Sequence, residues 1–160
     1  MSGDIADYVG RVVDISLFQG VSEGVNNRLE MSLLGEYSGL AITGAAKLAQ
    51  RFFLEIMTER GSIPSEPSRG SDFMFEARTG RLRTTAEVEQ SFYLALDQVR
   101  DDLIREESDD LPLDERYSGV TLRSVNLSNL ELHIVVVITS RAGTSREVIL
   151  PIFTRVGNAD

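Results

Sequence analysis

Thr43-Gly44-Ala45-Ala46-Lys47-Leu48-Ala49-Gln50-Arg51-Phe52-Phe53-Leu54-Glu55-Ile56-Met57-Thr58-Glu59-Arg60-Gly61-Ser62-Ile63-Pro64-Ser65-Glu66-Pro67-Ser68-Arg69-Gly70 is the stretch from which the rest of the chain is read. Ala45, Leu48, Ala49, Phe52, Phe53, Ile56 and Met57 recur at the three-and-four spacing that lines one helical face. Lys47, Gln50, Arg51, Glu55, Glu59 and Arg60 fill the other positions, so the spacing predicts an amphipathic helix. Thr43 is its N-cap candidate, because a threonine hydroxyl can accept from a first-turn N–H. Gly61 stands where a helix ends most easily, in the left-handed C′ position. Pro64, Pro67 and Gly70 forbid further helix and set up an ordered turn.

Outward from this helix, the 160 residues are enough for one domain with a real core and short for two. Apolar content of 42% and charged content of 26% are those of an ordinary globular chain. No apolar run is long enough to span a bilayer, and no basic-then-apolar leader opens the chain, so no membrane role is expected. Acids outnumber bases 25 to 16, a formal charge of −9, which argues against a phosphate backbone as principal partner. With no cysteine there is no disulfide, thiol nucleophile or thiolate metal site.

Before the helix, Ile5, Tyr8, Val9, Val12 and Val13 could form a helical face begun by Asp4. The β-branched run from Val12 to Ile15 favours instead a short strand near 11–18. A loop rich in turn formers spans 19–27, and 29–37 suggests a second strand broken by Gly35. Residues 1–38 are therefore expected to be an extension holding a strand pair or an arm, with a hairpin packed on the domain the plainer of the two.

After the helix, Phe73, Met74 and Phe75 should pin a connecting loop to the core. A second helix begins at Thr84, whose spacing to Glu87 is that of a capping box. Val88, Phe92, Ala95, Leu96, Val99 and Leu103 are its expected buried face. The acidic segment 101–115 ends it at Pro112. From Tyr117 the period becomes two: Val120, Leu122 and Val125 mark one strand, and Leu130, Leu132, Ile134, Val136 and Ile138 a central one. Residues 141–145 make a hairpin loop, and Arg146 to Phe153 a last strand. Pro151 cannot donate to a ladder, so that strand should lie at an edge or have its N–H side open there. The expected fold is α+β: two amphipathic helices on a small antiparallel sheet whose C-terminal strands form a meander with an open edge. The domain should cover 39–155, with a loose tail over 156–160.

Catalytic chemistry finds little support. His133 lies within a strand, beside only Glu131, and reads as a partly exposed strand histidine. No phosphate-binding loop or dinucleotide fingerprint is present, and no pair of carboxylates stands out for glycoside cleavage. Neither an enzyme nor a cofactor is expected. The turn 63–70 is different, because two prolines would present Glu66 and Arg69 in few conformations and so lower the ordering cost of docking. A connector that merely stops a helix is the plainer alternative.

The helix with Lys47-Leu48-Ala49-Gln50-Arg51, then Met57-Thr58-Glu59-Arg60-Gly61, then a proline turn closing at Gly70, a second helix and a meander resembles one known family. This is the sheath-initiator, or baseplate-wedge, family of contractile phage tails, which includes the wedge component of type VI secretion systems and is lysozyme-like only by name. The resemblance covers roughly residues 40–153 and leaves 1–38 without a counterpart. It implies a non-enzymatic virion protein of the tail baseplate, assembled in the host cytoplasm and repeated around the sixfold tail axis. Its implied partners are the baseplate wedge proteins and the tail sheath protein, with tube or hub proteins nearby. Carried over, Pro64, Glu66, Pro67, Arg69 and Gly70 form the wedge-docking loop, although Ser68 separates Pro67 from Arg69 where members have Glu-Pro-Arg. The C-terminal strand, through Arg146, Val148, Ile149, Leu150, Ile152 and Phe153, would offer an edge to the first sheath ring, an idea that strand addition independently suits. Two alternatives stay open: a virion or regulatory binding module using the acidic segment 101–115, and a peptidoglycan-cleaving glycosidase.

Overall fold

Residues alternating at period two build a sheet, and the two long apolar helical stripes cover one of its faces. The computed structural model describes residues 10–20, 28–31, 41–128 and 131–153. In chain order the elements are β1 (Asp14–Ile15), β2 (Phe18–Gly20), β3 (Arg28–Met31), β4 (Ala41–Ile42), α1 (Gly44–Met57), α2 (Phe73–Arg78), α3 (Thr85–Arg105), β5 (Tyr117–Leu127), β6 (Glu131–Ser140) and β7 (Ser145–Phe153). A single 3-10 turn, Leu113–Glu115, precedes β5.

The main sheet runs β2-β3-β7-β6-β5, and β1 pairs separately with β4. β5, β6 and β7 form the expected antiparallel meander. Its open edge is β5, not β7. On its far side β7 carries β3 in parallel register, Arg28↔Glu147, Leu29↔Val148 and Glu30↔Ile149, and β2 lies antiparallel on β3. β2 and β3 are thus strands of the main sheet, paired through to β7. Gln19 and Gly20, expected at the start of the loop 19–27, belong to β2, and residues 29–31 of the expected strand 29–37 belong to β3. Residues 21–27 and 32–37, the part of the early helical alternative before residue 10 and the tail at 156–160 lie outside the described residues.

Leu132, Ile134, Val136 and Ile138 of β6 and Val148, Leu150 and Ile152 of β7 face the helices and are buried. β5 adds Tyr117, Val120, Leu122, Val125 and Leu127 to the same side. The three-residue steps from Tyr117 to Val120 and from Leu122 to Val125 would put neighbours on opposite faces of a regular strand. Register irregularities between Tyr117 and Gly119 and between Leu122 and Ser124 absorb the extra residues and restore the face.

α3 follows the sequence closely. Val88, Phe92, Ala95, Val99 and Leu103 are buried, Leu96 is half-buried, and the capping box is complete. α1 stops at Met57, short of the predicted end, because the Thr58 hydroxyl turns back onto the Leu54 carbonyl at 2.7 Å and Thr58 leaves helical geometry. Gly61 is thus not a C′ residue. The expected loop at 71–83 contains the short helix α2, whose Phe73 enters the core edge-on to Phe92 with ring centroids 6.2 Å apart.

The α3 cap yields a pH-dependent prediction. Glu87 accepts from the Arg83 N–H at 2.8 Å and the Thr84 N–H at 2.9 Å, and these bonds hold its carboxyl below the usual glutamate value. A lowered folded pKa means that the stabilisation is in place above the ordinary value and is lost as pH falls through the lowered one. An NMR titration should therefore place the Glu87 midpoint below that of a free glutamate. Thr84→Ala keeps both backbone donors, so the midpoint should stay below the free value, while loss of the hydroxyl that caps the Glu87 N–H should cost about 1 kcal/mol in urea unfolding.

Candidate interaction site

Two of the positions assigned to the polar face of α1, Gln50 and Glu55, are each only 2% exposed. Glu55 is thus not the solvated glutamate that its helical position suggests. Polar groups taken out of water need partners, and here non-regular segments supply them.

At the N-terminal end of α1, Thr43 occupies the N-cap position but its hydroxyl caps nothing. The Gly44 N–H instead donates to Glu115 Oε1 at 3.1 Å, from the 3-10 turn. That carboxylate also takes Lys47 Nζ at 3.1 Å, while Arg11 bridges to neighbouring Asp114 at 2.7 Å. α1 has no acidic residue in its first turn, so a buried carboxylate 71 residues away supplies the negative charge its dipole favours.

One turn further, Gln50 binds the extended strap before β2 as a neighbouring strand would. It accepts from Leu17 N–H at 2.7 Å and donates to the Ile15 carbonyl at 2.9 Å. Lys47 also donates to the Val12 carbonyl at 2.8 Å, and Arg51 donates to the Leu103 and Glu115 carbonyls.

At the C-terminal end lies the proline loop. Ser71 N–H donates to the Thr58 carbonyl at 2.9 Å and Arg60 N–H to the Ser71 carbonyl at 3.0 Å, closing its base. Three turns follow one another, each with a 3.0 Å bond: Glu59 to Ser62, Ile63 to Glu66, and Glu66 to Arg69. Pro64 and Pro67 stand second in the last two, where fixed proline φ is already correct, and Gly61 stands third in the first with φ +82°. Pro64, Ser65, Glu66, Pro67 and Ser68 are exposed along the crest.

Arg69 does not join that display. Its guanidinium turns inward to Glu55, reaches Glu106 at the end of α3 at 2.8 Å, and meets Glu66 at 3.2 Å. These carboxylates, Glu55 foremost, push its pKa further up, so it is a permanent cation. Arg69, expected in the docking set, is held as an internal clamp by a buried carboxylate on α1 and keeps 28% of its side chain in water. Gly70, also assigned to docking, is buried at the base, where its φ of +86° and the Thr58 carbonyl admit no side chain.

The strand-addition residues are placed differently as well. Val148, Leu150 and Ile152 point into the core; Ile149 is half-buried on the other face opposite Val135; Arg146 is half-buried opposite Ile138; and the Phe153 side chain is outside the described set. Their strand is internal as far as β3 extends, because Arg28–Glu30 already occupy the border along Glu147–Ile149.

Sequence reasoning also missed Glu106, Glu107 and Glu115 by treating the acidic segment as one solvated run. Glu106 holds Arg69, Glu107 faces Arg141 at 3.2 Å and accepts from the Tyr117 N–H, and Asp102 holds Arg105 at 2.5 Å. Only apolar residues within the run, Leu103 and Leu111, hinted that parts of it fold inward. His133 is a half-exposed strand residue with Nε2 3.3 Å from Glu131. Among the described residues no cluster of His, Asp and Glu is arranged to hold a metal, and no helix is long and apolar enough to cross a membrane.

No family model, curated protein or solved structure matches this chain.

Two sets of variants test the loop. Arg69→Met strands Glu55, whose side chain is 3% exposed, and should cost about 2–3 kcal/mol in urea unfolding. Arg69 keeps 28% of its side chain in water, which places the loss below that of a fully buried pair. Adding Glu55→Gln should recover part of it. Gly70→Ala would set a Cβ 2.2 Å from the Thr58 carbonyl oxygen and should cost about 2 kcal/mol or more. Gly61→Ala, with open space around it, should cost only the left-handed φ, about 1 kcal/mol.

Proposed function

We propose that this chain is a structural assembly protein of a contractile-tail baseplate, of the sheath-initiator kind, with no catalytic role. Its proline loop docks on the helical part of the wedge proteins, and its sheet contributes to nucleating the sheath. Copies stand around the tail axis in the virion.

The observation that carries this reading is the loop itself. Its crest is exposed and polar, while closed turns, two prolines and the Arg69–Glu55 clamp fix its backbone. Immobilising a flexible loop on binding opposes association, and this loop is already ordered. The docking set is therefore Pro64, Ser65, Glu66, Pro67 and Ser68, with Arg69 and Gly70 behind them as supports. The folded elements run α1, proline loop, the unanticipated short α2, α3 and the β5–β7 meander, which supports the reading apart from α2.

The acidic-module alternative is less well supported. Asp102, Glu106, Glu107, Asp114 and Glu115 are engaged with cations of the same chain, so the charge available to a basic partner is much reduced.

Glu66→Lys and Ser65→Tyr test the docking face. Both residues are exposed, and Glu66 meets Arg69 in a half-solvated pair, so stability should change by less than about 1 kcal/mol. Co-purification with co-expressed baseplate wedge proteins should fall by about tenfold or more, equivalent to about 1.4 kcal/mol of binding. Undiminished wedge binding by both variants would overturn the docking assignment. Cell-wall turbidity clearance that a single acid-to-amide change abolishes would overturn the non-enzymatic reading.

A further inference from the structure

We infer that Arg78, Arg81 and Arg83, with the Phe75 ring that two of them cover, form a docking surface for an acidic segment of another polypeptide. The inference goes beyond the baseplate reading and does not depend on it.

The stretch Ala77-Arg78-Thr79-Gly80-Arg81-Leu82-Arg83-Thr84 carries three arginines and no acid, in a chain whose formal charge is −9. Its backbone fixes where they stand. Gly80 is left-handed at φ +69° just past α2, and the Arg81 N–H returns to the Glu76 carbonyl at 3.0 Å. That reversal carries the Arg81 guanidinium over the Phe75 ring, 5.2 Å from its centroid, and Arg78 lies over the same ring at 5.7 Å. Leu82 is buried in the core between exposed Arg81 and Arg83, so both arginines are held outward. The capping box of α3 begins immediately after them, at Thr84.

This charge is not neutralised within the molecule. Arg78 Nη2 donates to both oxygens of Glu59, at 3.0 and 3.1 Å, and its side chain is still 64% exposed. Among the described residues no carboxylate pairs with the Arg81 or Arg83 guanidinium, and Arg83 Nε reaches only the Gly80 carbonyl, at 3.3 Å. The acids nearest in sequence are turned to other groups. Glu76 accepts from the Ser91 hydroxyl, and Glu87 accepts from the Arg83 and Thr84 backbone N–H. Lys47, Arg69, Arg105 and Arg141, by contrast, each hold a carboxylate that the fold has buried.

A guanidinium stacked on an aromatic face keeps its in-plane donors free, in the fork that matches a carboxylate. Arg78 already shows that pairing with Glu59. Stacking and the closed turn hold the forks before any partner arrives, which lowers the ordering cost of binding. A phosphate also fits a fork, but nucleic-acid affinity grows with the number of phosphates neutralised, and this short stretch of an acidic chain neutralises few. An acidic polypeptide is attracted here and repelled by the rest of the surface, so the charge pattern also orients it.

The probe is a fluorescein-labelled peptide of alternating aspartate and glutamate, with its asparagine–glutamine counterpart as control, on the full chain. The acidic peptide should bind, more weakly as salt is raised, and the amide peptide should not. Arg81→Glu and Arg83→Glu should each weaken binding about fivefold or more. Arg123→Glu, at an exposed arginine of β5, changes the net charge equally and should weaken it less than about twofold. Arg81→Lys keeps the charge without the stacked fork and should lose about twofold or more. Should a variant fail to fold, the salt series and the amide control on the unaltered chain still decide. No binding of the acidic peptide at high concentration, equal losses in Arg81→Glu and Arg123→Glu, or unweakened binding by Arg81→Lys would each overturn the inference. So would tighter binding of single-stranded oligothymidylate through the same arginines, which assigns the surface to a nucleic acid. A dimer in sedimentation that Arg81→Glu dissolves would overturn it in favour of a second copy.

Discussion

α1 is shielded from water on both its faces, and most of the irregular structure answers to that one condition. Leu48, Ala49, Phe52 and Ile56 are fully buried on its apolar side, as their periodicity requires. Gln50 and Glu55 are just as inaccessible on the other side. An unpaired amide or carboxylate there would cost several kcal/mol, of the order of the whole stability of a domain this size. The strap of residues 11–17, the turn 113–115 and the proline loop each bring the partner that one buried group needs. Three loops are thus folded by one helix. Their conformations are set by the polar residues of α1 rather than by their own turn propensities alone.

The same condition separates what could be read in the sequence from what could not. Periodicity reports which residues leave water together on an apolar surface, so the stripes of α1 and α3, the meander and the α+β class were legible. The capping box was legible too, because Thr84 and Glu87 are three residues apart and their chemistry is local. Glu115 was not, since it caps a helix 71 residues away. Glu55 and Glu59 carry the same side chain one turn apart. Yet one is sealed against Arg69 and the other lies at the surface beside Arg78. Their spacing alone does not distinguish them, because α1 ends at Met57, before Glu59, and the proline loop returns Arg69 to Glu55.

Pro151 shows a partial reading of another sort. Its missing N–H requires an open position on one side of β7, and the structure meets that requirement locally. A whole open edge does not follow from one absent donor. β3 pairs just before the proline, so β7 is internal over Glu147–Ile149 while a proline still sits within its span. The outer strand of the meander, β5, has two register irregularities along its length, which restore its inward face and interrupt the flat ladder that an adventitious strand would need.

The proline loop and the β7 border are therefore opposites in their physics. The loop is held by closed backbone turns and by a guanidinium bonded to a buried carboxylate, interactions that can be lost only at a cost comparable to unfolding part of α1's surroundings. The border is covered by β3 over Glu147–Ile149 in a parallel register of three residues, the shorter of the two pairings that hold β7.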